Sequence, residues 1–164
     1  MKTLLILRHA KSSWKNPNLS DHERPLNKRG KNDAPRMGQL LAREGLVPDL
    51  IISSSAVRAK ATAEFVALAC DYQSEIQYTR DLYHAWPAAY IDILHEVQNE
   101  HQRVMVIGHN PGIEELVEEL SGEWVRMPTA ALAQITPNID HWADLALDNV
   151  EPLVQVWRPK ELDD

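Results

Sequence analysis

Short apolar runs bounded by turn residues alternate along the chain with stretches of helical pattern, and this alternation constrains the fold more than any other feature. Residues 3–7, 50–53, 75–79, 104–107, 131–136 and 153–157 read as strands. Between them, Asn27 is placed to cap a helix that runs to Glu44 and closes at Gly45, with Pro35 expected to kink or interrupt it. Residues 56–70 form the clearest helical stretch, rich in Ala, with Val57, Ala61, Phe65 and Leu68 on one side. Two further helices are expected over 88–99 and 113–120, the second behind Pro111 and Gly112 with four glutamates on its outer side. Strands and helices in alternation imply a layered α/β domain around a largely parallel sheet. There is no internal repeat, low-complexity stretch or Gly/Ser linker, so one domain over 1–164 is expected.

The chain has 164 residues, 44% of them apolar, one cysteine and a formal net charge of -7. A folded chain of this size buries roughly 68–70% of its unfolded surface, enough for a core without disulfides or structural metal. Cys70 can make no internal bridge, and Met1-Lys2-Thr3-Leu4-Leu5 is not a charged-then-apolar leader, so a reduced, cytoplasmic protein is expected. No apolar run approaches the about 20 residues of a membrane helix. Charge is unevenly spread: residues 1–60 hold 12 Lys or Arg against 5 Asp or Glu, and the rest hold 5 against 19. The acidic total argues against long nucleic acid as a partner. The basic first third suggests a concentrated anion site.

In parallel α/β sheets ligands sit beyond the carboxyl ends of the strands. Three segments therefore matter. After the first strand stands Arg8-His9-Ala10-Lys11-Ser12-Ser13-Trp14-Lys15. After the second, Ser53-Ser54-Ser55-Ala56-Val57-Arg58 puts an arginine in the first turn of a helix. After the fourth, Gly108-His109-Asn110-Pro111-Gly112 sets a histidine between glycines ahead of another helix. Each alone is compatible with a satisfied loop histidine or a solvated arginine. Together, two histidines and two arginines at one sheet edge describe a phosphate pocket, because helix N-termini with free N–H groups attract anions. A flavodoxin-like nucleotide site would instead need a glycine-rich loop after the first strand.

The run Leu4-Leu5-Ile6-Leu7-Arg8-His9 resembles the signature of the histidine phosphatase superfamily, the phosphoglycerate-mutase-like fold. Three further blocks follow in the family's order: Arg24-Pro25-Leu26-Asn27-Lys28-Arg29-Gly30, the stretch from Ser53 to Glu64, and Val106-Ile107-Gly108-His109-Asn110-Pro111-Gly112. With Ala10-Lys11-Ser12 and Leu82-Tyr83, the variant is similar to the short SixA-type phosphohistidine phosphatase branch. The resemblance spans residues 3 to about 136 and implies a three-layer sandwich with a mostly parallel central sheet.

The resemblance also implies that His9 attacks phosphorus and carries a phosphohistidine that water hydrolyses. Arg8, Arg58 and His109 would bind the phosphoryl group, with Lys15 a further candidate and a protonated His109 an added donor. Charge spread over the transferring phosphoryl makes positioning and cationic stabilisation the main catalytic terms. No cofactor or metal is implied, and the His22, His84, His95, His101 and His141 spacings match no zinc pattern. Mutase-type relatives carry a glutamate after the third strand as general acid; here the stretch is Asp81-Leu82-Tyr83-His84-Ala85, leaving His84 or Asp81 as candidates. A P–N bond to histidine is easier to break without a strong acid than a P–O bond to an alkoxide. The expectation is therefore hydrolysis of phosphohistidine on a phosphorelay or phosphotransfer protein, by a monomer with an open pocket. A phosphatase for small phosphomonoesters and a non-catalytic phosphohistidine-binding module are the alternatives.

Overall fold

The structure, a computed structural model, describes residues 1–162. Six strands form one sheet: β1 (Thr3–Arg8), β2 (Leu50–Ser54), β3 (Ile76–Thr79), β4 (Arg103–Gly108), β5 (Leu132–Ile135) and β6 (Leu153–Trp157), in the order β3-β2-β4-β1-β5-β6. β1, β2, β3 and β4 run parallel, and β5 lies antiparallel to both β1 and β6. The helices are α1 (Lys28–Arg43), α2 (Val57–Ala69), α3 (Pro87–His95) and α4 (Gly112–Ser121).

The apolar run of β1 is buried on both faces, as expected of a central parallel strand. Alternate residues serve different layers. Leu4 and Ile6 pack with Leu94, Leu116 and the fully buried Trp142 on the α3/α4 side. Leu5 and Leu7 pack with Met37, Leu41, Ala63 and Val66 on the α1/α2 side. Helices on both faces make the three-layer sandwich that the alternation implied.

Three local expectations are corrected. Pro35 lies inside α1, which runs unbroken from Lys28 to Arg43. Proline at this position leaves the Lys31 carbonyl without its helical partner. Lys31 is exposed, so water can serve that carbonyl, while the apolar face of α1 stays packed on α2. In α2 the line of Val57, Ala61, Phe65 and Leu68 is not the buried face: Val57 and Leu68 are exposed, Ala61 and Phe65 only partly buried against the core, and the buried residues are Arg58, Ala59, Thr62, Ala63, Val66 and Ala67. Small residues win the inner face because α1 approaches closely there. A Cβ on Gly38 would lie 2.6 Å from the Val66 carbonyl oxygen. The third helix also stops at His95, short of the expected 99.

Sheet register, more than helix placement, builds the functional edge. Arg8 pairs with Gly108 across β1 and β4, and Ser53 pairs with Ile107 across β2 and β4. The chain positions that follow, His9, Ser54 and His109, are thereby brought side by side although far apart in sequence.

Candidate active site

His9 leaves β1 with its N–H bonded to the Gly108 carbonyl at 3.0 Å. The loop it opens is pinned from several sides. The Ala130 N–H reaches the Arg8 and His9 carbonyls at 3.1 and 3.0 Å, and the Ala10 N–H donates to Thr62 Oγ1 at 3.0 Å. Lys11 accepts the Asn27 N–H at 3.0 Å, and the start of α1 comes so near that a Cβ on Gly30 would lie 2.1 Å from the Lys11 carbonyl oxygen.

This fixes the chemistry of the His9 ring. Its Nδ1 stands 2.7 Å from the Ala10 carbonyl oxygen, which can only accept, so Nδ1 carries the proton and Nε2 the lone pair. His9 is 6% exposed. Burial, then the charges of Arg58, Arg8 and Arg24, push its pKa down to about 3, against the opposing bond to Ala10. The ring is neutral at physiological pH.

His109 faces it with ring centroids 5.0 Å apart. Its Nε2 lies 2.8 Å from Ser54 Oγ. That hydroxyl also accepts the Ala56 N–H at 3.2 Å, and it has both a hydrogen and a second lone pair to offer Nε2. His109 Nδ1 is buried with no partner among the described residues. Burial, with His9 and Arg58, pushes the His109 pKa down to about 2. In this structure the ring is neutral and offers one N–H, where a protonated ring would offer two.

Arginines supply the positive charge. Arg58, buried in the first turn of α2, donates from Nη1 to the Asp21 carbonyl at 2.6 Å and from Nη2 to Asp21 Oδ2 at 3.0 Å. Arg8 donates from Nη1 to the Met127 carbonyl at 3.1 Å, while its buried Nε has no partner among the described residues. Arg24 donates to the Ser13 carbonyl, Ser12 Oγ and Asp21 Oδ1, and the Trp14 indole covers its guanidinium at 3.2 Å.

Asp21 is the residue that sequence reasoning missed. Its carboxylate takes hydrogen bonds from Arg24, Arg58 and the Tyr83 hydroxyl, the last at 2.6 Å, and lies 3.3 Å from His84 Nε2. Burial alone would raise its pKa, but the bonds from Tyr83, Arg24 and Arg58 outweigh burial and hold it well below the usual carboxylate range. The available signal was its rarity: it is one of 5 acidic residues in the basic first 60.

These groups line a cavity of about 290 Å³ that contains Arg8, His9, Lys11, Ser12, Asp21, Arg24, Arg58, His84 and His109. The structure therefore brings Arg8, His9, Arg58, His109 and His84 together. It does not bring in Lys15 or Asp81. The chain turns outward after Trp14, so Lys15 is exposed and Lys11 takes the rim position instead. Asp81 sits exposed in the turn Arg80–Leu82, where Leu82 is buried and Tyr83 and His84 reach the pocket side. Among the described residues no group of three or more His, Cys, Asp or Glu is placed to hold a metal ion. No helix of the described residues is long and apolar enough to cross a membrane.

A model of the histidine phosphatase superfamily (branch 1) matches residues 4–86, and the chain belongs to this family of phosphatases. Within the family it falls in the SixA-type branch. A SixA protein from Agrobacterium tumefaciens, described as a proposed phosphohistidine phosphatase, is 30% identical, with a TM-score of 0.82 over 96% of this chain and 98% of that one. The protein histidine phosphatase SixA complexed with tungstate superposes with a TM-score of 0.84 at 24% identity, covering 98% of this chain and 99% of that one. A chloroplastic protein of Arabidopsis thaliana, itself uncharacterised, is 33% identical over 148 residues, 84% of this chain and 68% of its own. The chain is thus a hydrolase of the phosphatase class.

Proposed function

We propose that the protein removes phosphoryl groups from histidine side chains of a partner protein through a phosphohistidine on His9. The observation that carries the reading is the His9 ring itself: Nδ1 is committed to the Ala10 carbonyl, and Nε2 is unprotonated among Arg8, Arg24, Arg58 and His109.

The Nε2 lone pair forms the new N–P bond as the P–N bond of the substrate breaks, its electron pair staying on the departing imidazole nitrogen. That nitrogen takes a proton from His84 or from water. Water then forms the P–O bond as P–Nε2 breaks, the pair returns to His9, and the water proton restores the donor. The phosphoryl oxygens are met by N–H groups of Arg8, Arg58 and His109, which line the same cavity as His9. Fixed donors of this kind lower the barrier because they need no reorganisation as charge develops.

Leaving-group chemistry supports phosphohistidine over an alkyl phosphate. The carboxylate that lines the pocket, Asp21, is held ionised by its donors and is a poor acid. Imidazole departs without a strong acid; an alkoxide does not. The tungstate bound by the related SixA protein is a phosphate-like tetrahedral anion, which fits a phosphoryl pocket whatever the leaving group. The test is incubation with a radiolabelled phosphohistidine protein beside a panel of sugar and nucleotide phosphates. Transient label on the wild-type protein, lost in His9→Ala together with phosphate release, is expected. Equal turnover of alkyl phosphates would favour a general phosphomonoesterase, and release by His9→Ala would overturn the mechanism.

A further inference from the structure

Beside the phosphate pocket lies a second cavity of about 240 Å³, lined by His84, Ala85, Trp86, His109, Asn110, Pro111 and Gly112. His84, His109 and Asn110 line both spaces; His9 and Arg58 line only the first, and Trp86 and Pro111 only the second. We infer that this second cavity is the leaving-group subsite, and that it accepts the flat, uncharged ring of an imidazole while His9 takes the phosphoryl group. The inference rests on the phosphohistidine reading above and names the part of the molecule that recognises the ring.

Three features support it. The chemistry changes at the boundary: no arginine, lysine or carboxylate lines the second space, so a sugar or nucleotide carrying many hydroxyls or charges would leave polar groups unpaired there. The size suits a ring with its attachment, since an apolar protein cavity of about 150 Å³ already holds benzene.

The walls are also built. A Cβ on Gly112 would lie 2.2 Å from the Ala85 carbonyl oxygen, so two backbone segments that line the cavity are in close contact. His84 is held at φ 54°, in the left-handed region, stacked on Tyr83 with centroids 4.0 Å apart. A non-glycine residue is strained in this region and persists there where its surroundings impose it. Trp86 is 70% exposed beside this space, a large aromatic surface whose side chain fills no core. A ring bound here exchanges water for aromatic contact.

In-line displacement at phosphorus requires the leaving group to lie across from the nucleophile. Its nitrogen would then sit at the shared boundary, which His84 lines from both sides.

The test compares 1-phosphoimidazole, which carries the ring, with phosphoramidate, which has a P–N bond and no ring. Trp86→Ala and Trp86→Phe are measured against the wild-type protein. Trp86→Ala is expected to lower kcat/KM for phosphoimidazole at least fivefold more than for phosphoramidate, mainly through KM. Trp86→Phe should recover most of the difference. Equal losses for both probes would overturn the subsite while leaving the phosphatase reading intact. Release from neither probe by the wild-type protein overturns both. Because Trp86 is exposed, the variants should fold, and circular dichroism checks that they do.

Discussion

At the buried end of the cleft, around His9, the functional side chains are tethered, whereas at its open end, the mouth, the aromatic side chains of Trp14 and Trp86 are exposed. His9, Arg24, Arg58 and His109 are each less than a tenth exposed, and each makes hydrogen bonds to backbone or to a neighbouring side chain. Trp14 and Trp86 stand 73% and 70% exposed at the mouth. A phosphoryl group is small, rigid and the same in every substrate, so its donors gain from fixed positions. A protein surface that presents it varies more, and exposed aromatic groups accommodate that variation at low conformational cost.

If this contrast is correct, the largest effect should come from the tethered end. Arg58→Lys keeps the charge but loses the planar fork that donates to Asp21 from two nitrogens and still offers N–H groups to the phosphoryl. A loss of about 10²- to 10³-fold in kcat is expected, the range for removing one preorganised transition-state donor. Single-turnover measurement of phosphoenzyme formation checks it, and a variant that forms phosphoenzyme at the wild-type rate would show that charge alone suffices.

Most of this contrast lay beyond what the linear chain shows. The strands were legible because central parallel strands bury both faces and read as continuous apolar runs, and Arg8, His9, Arg58 and His109 were legible because each follows or begins such an element. The inner face of α2 was not, since its packing favours Ala59 and Ala63 over Val57 and Leu68, and only the close approach of Gly38 explains that choice. Asp21 could not be placed because its partners Arg58 and Tyr83 are 37 and 62 residues away. Nor does spacing distinguish Asp81 from His84 or Lys15 from Lys11. Where the chain turns outward decides both, and turn direction depends on tertiary contacts.

A second, smaller effect concerns pH. His9 and His109 are buried neutral, with pKa values near 3 and 2, below the about 6.5 of an unfolded histidine. Burial also lowers His22. As pH falls below about 6.5 the unfolded chain takes up protons that the folded chain refuses, so stability decreases, by up to about 1.4 kcal/mol per pH unit for each buried ring. The contribution is absent above that pH. Asp21 adds a loss of the same sign only at lower pH, within the carboxylate range, because its folded pKa is depressed. Thermal denaturation between pH 7 and 5 should show a falling Tm, with a shallower fall in His109→Gln. Parallel curves for the two proteins would mean that His109 is not held neutral by burial.

The smallest effect belongs to the exposed mouth. The Trp14 indole covers the Arg24 guanidinium at 3.2 Å, while Arg24 is held from its other side by Ser12, Ser13 and Asp21. A cation–π contact at an exposed site is worth about 0.5–1 kcal/mol. Since the remaining bonds keep Arg24 in place, Trp14→Ala should lower kcat/KM for a small phosphodonor such as acetyl phosphate by about two- to fivefold. It should do so without altering the pH profile. A loss approaching that of Arg58→Lys would place Trp14 among the tethered groups and move the boundary between the two ends of the cleft outward. No loss would mean that the hydrogen bonds alone position Arg24, which leaves the Trp14 surface free to contact the protein that carries the phosphoryl group.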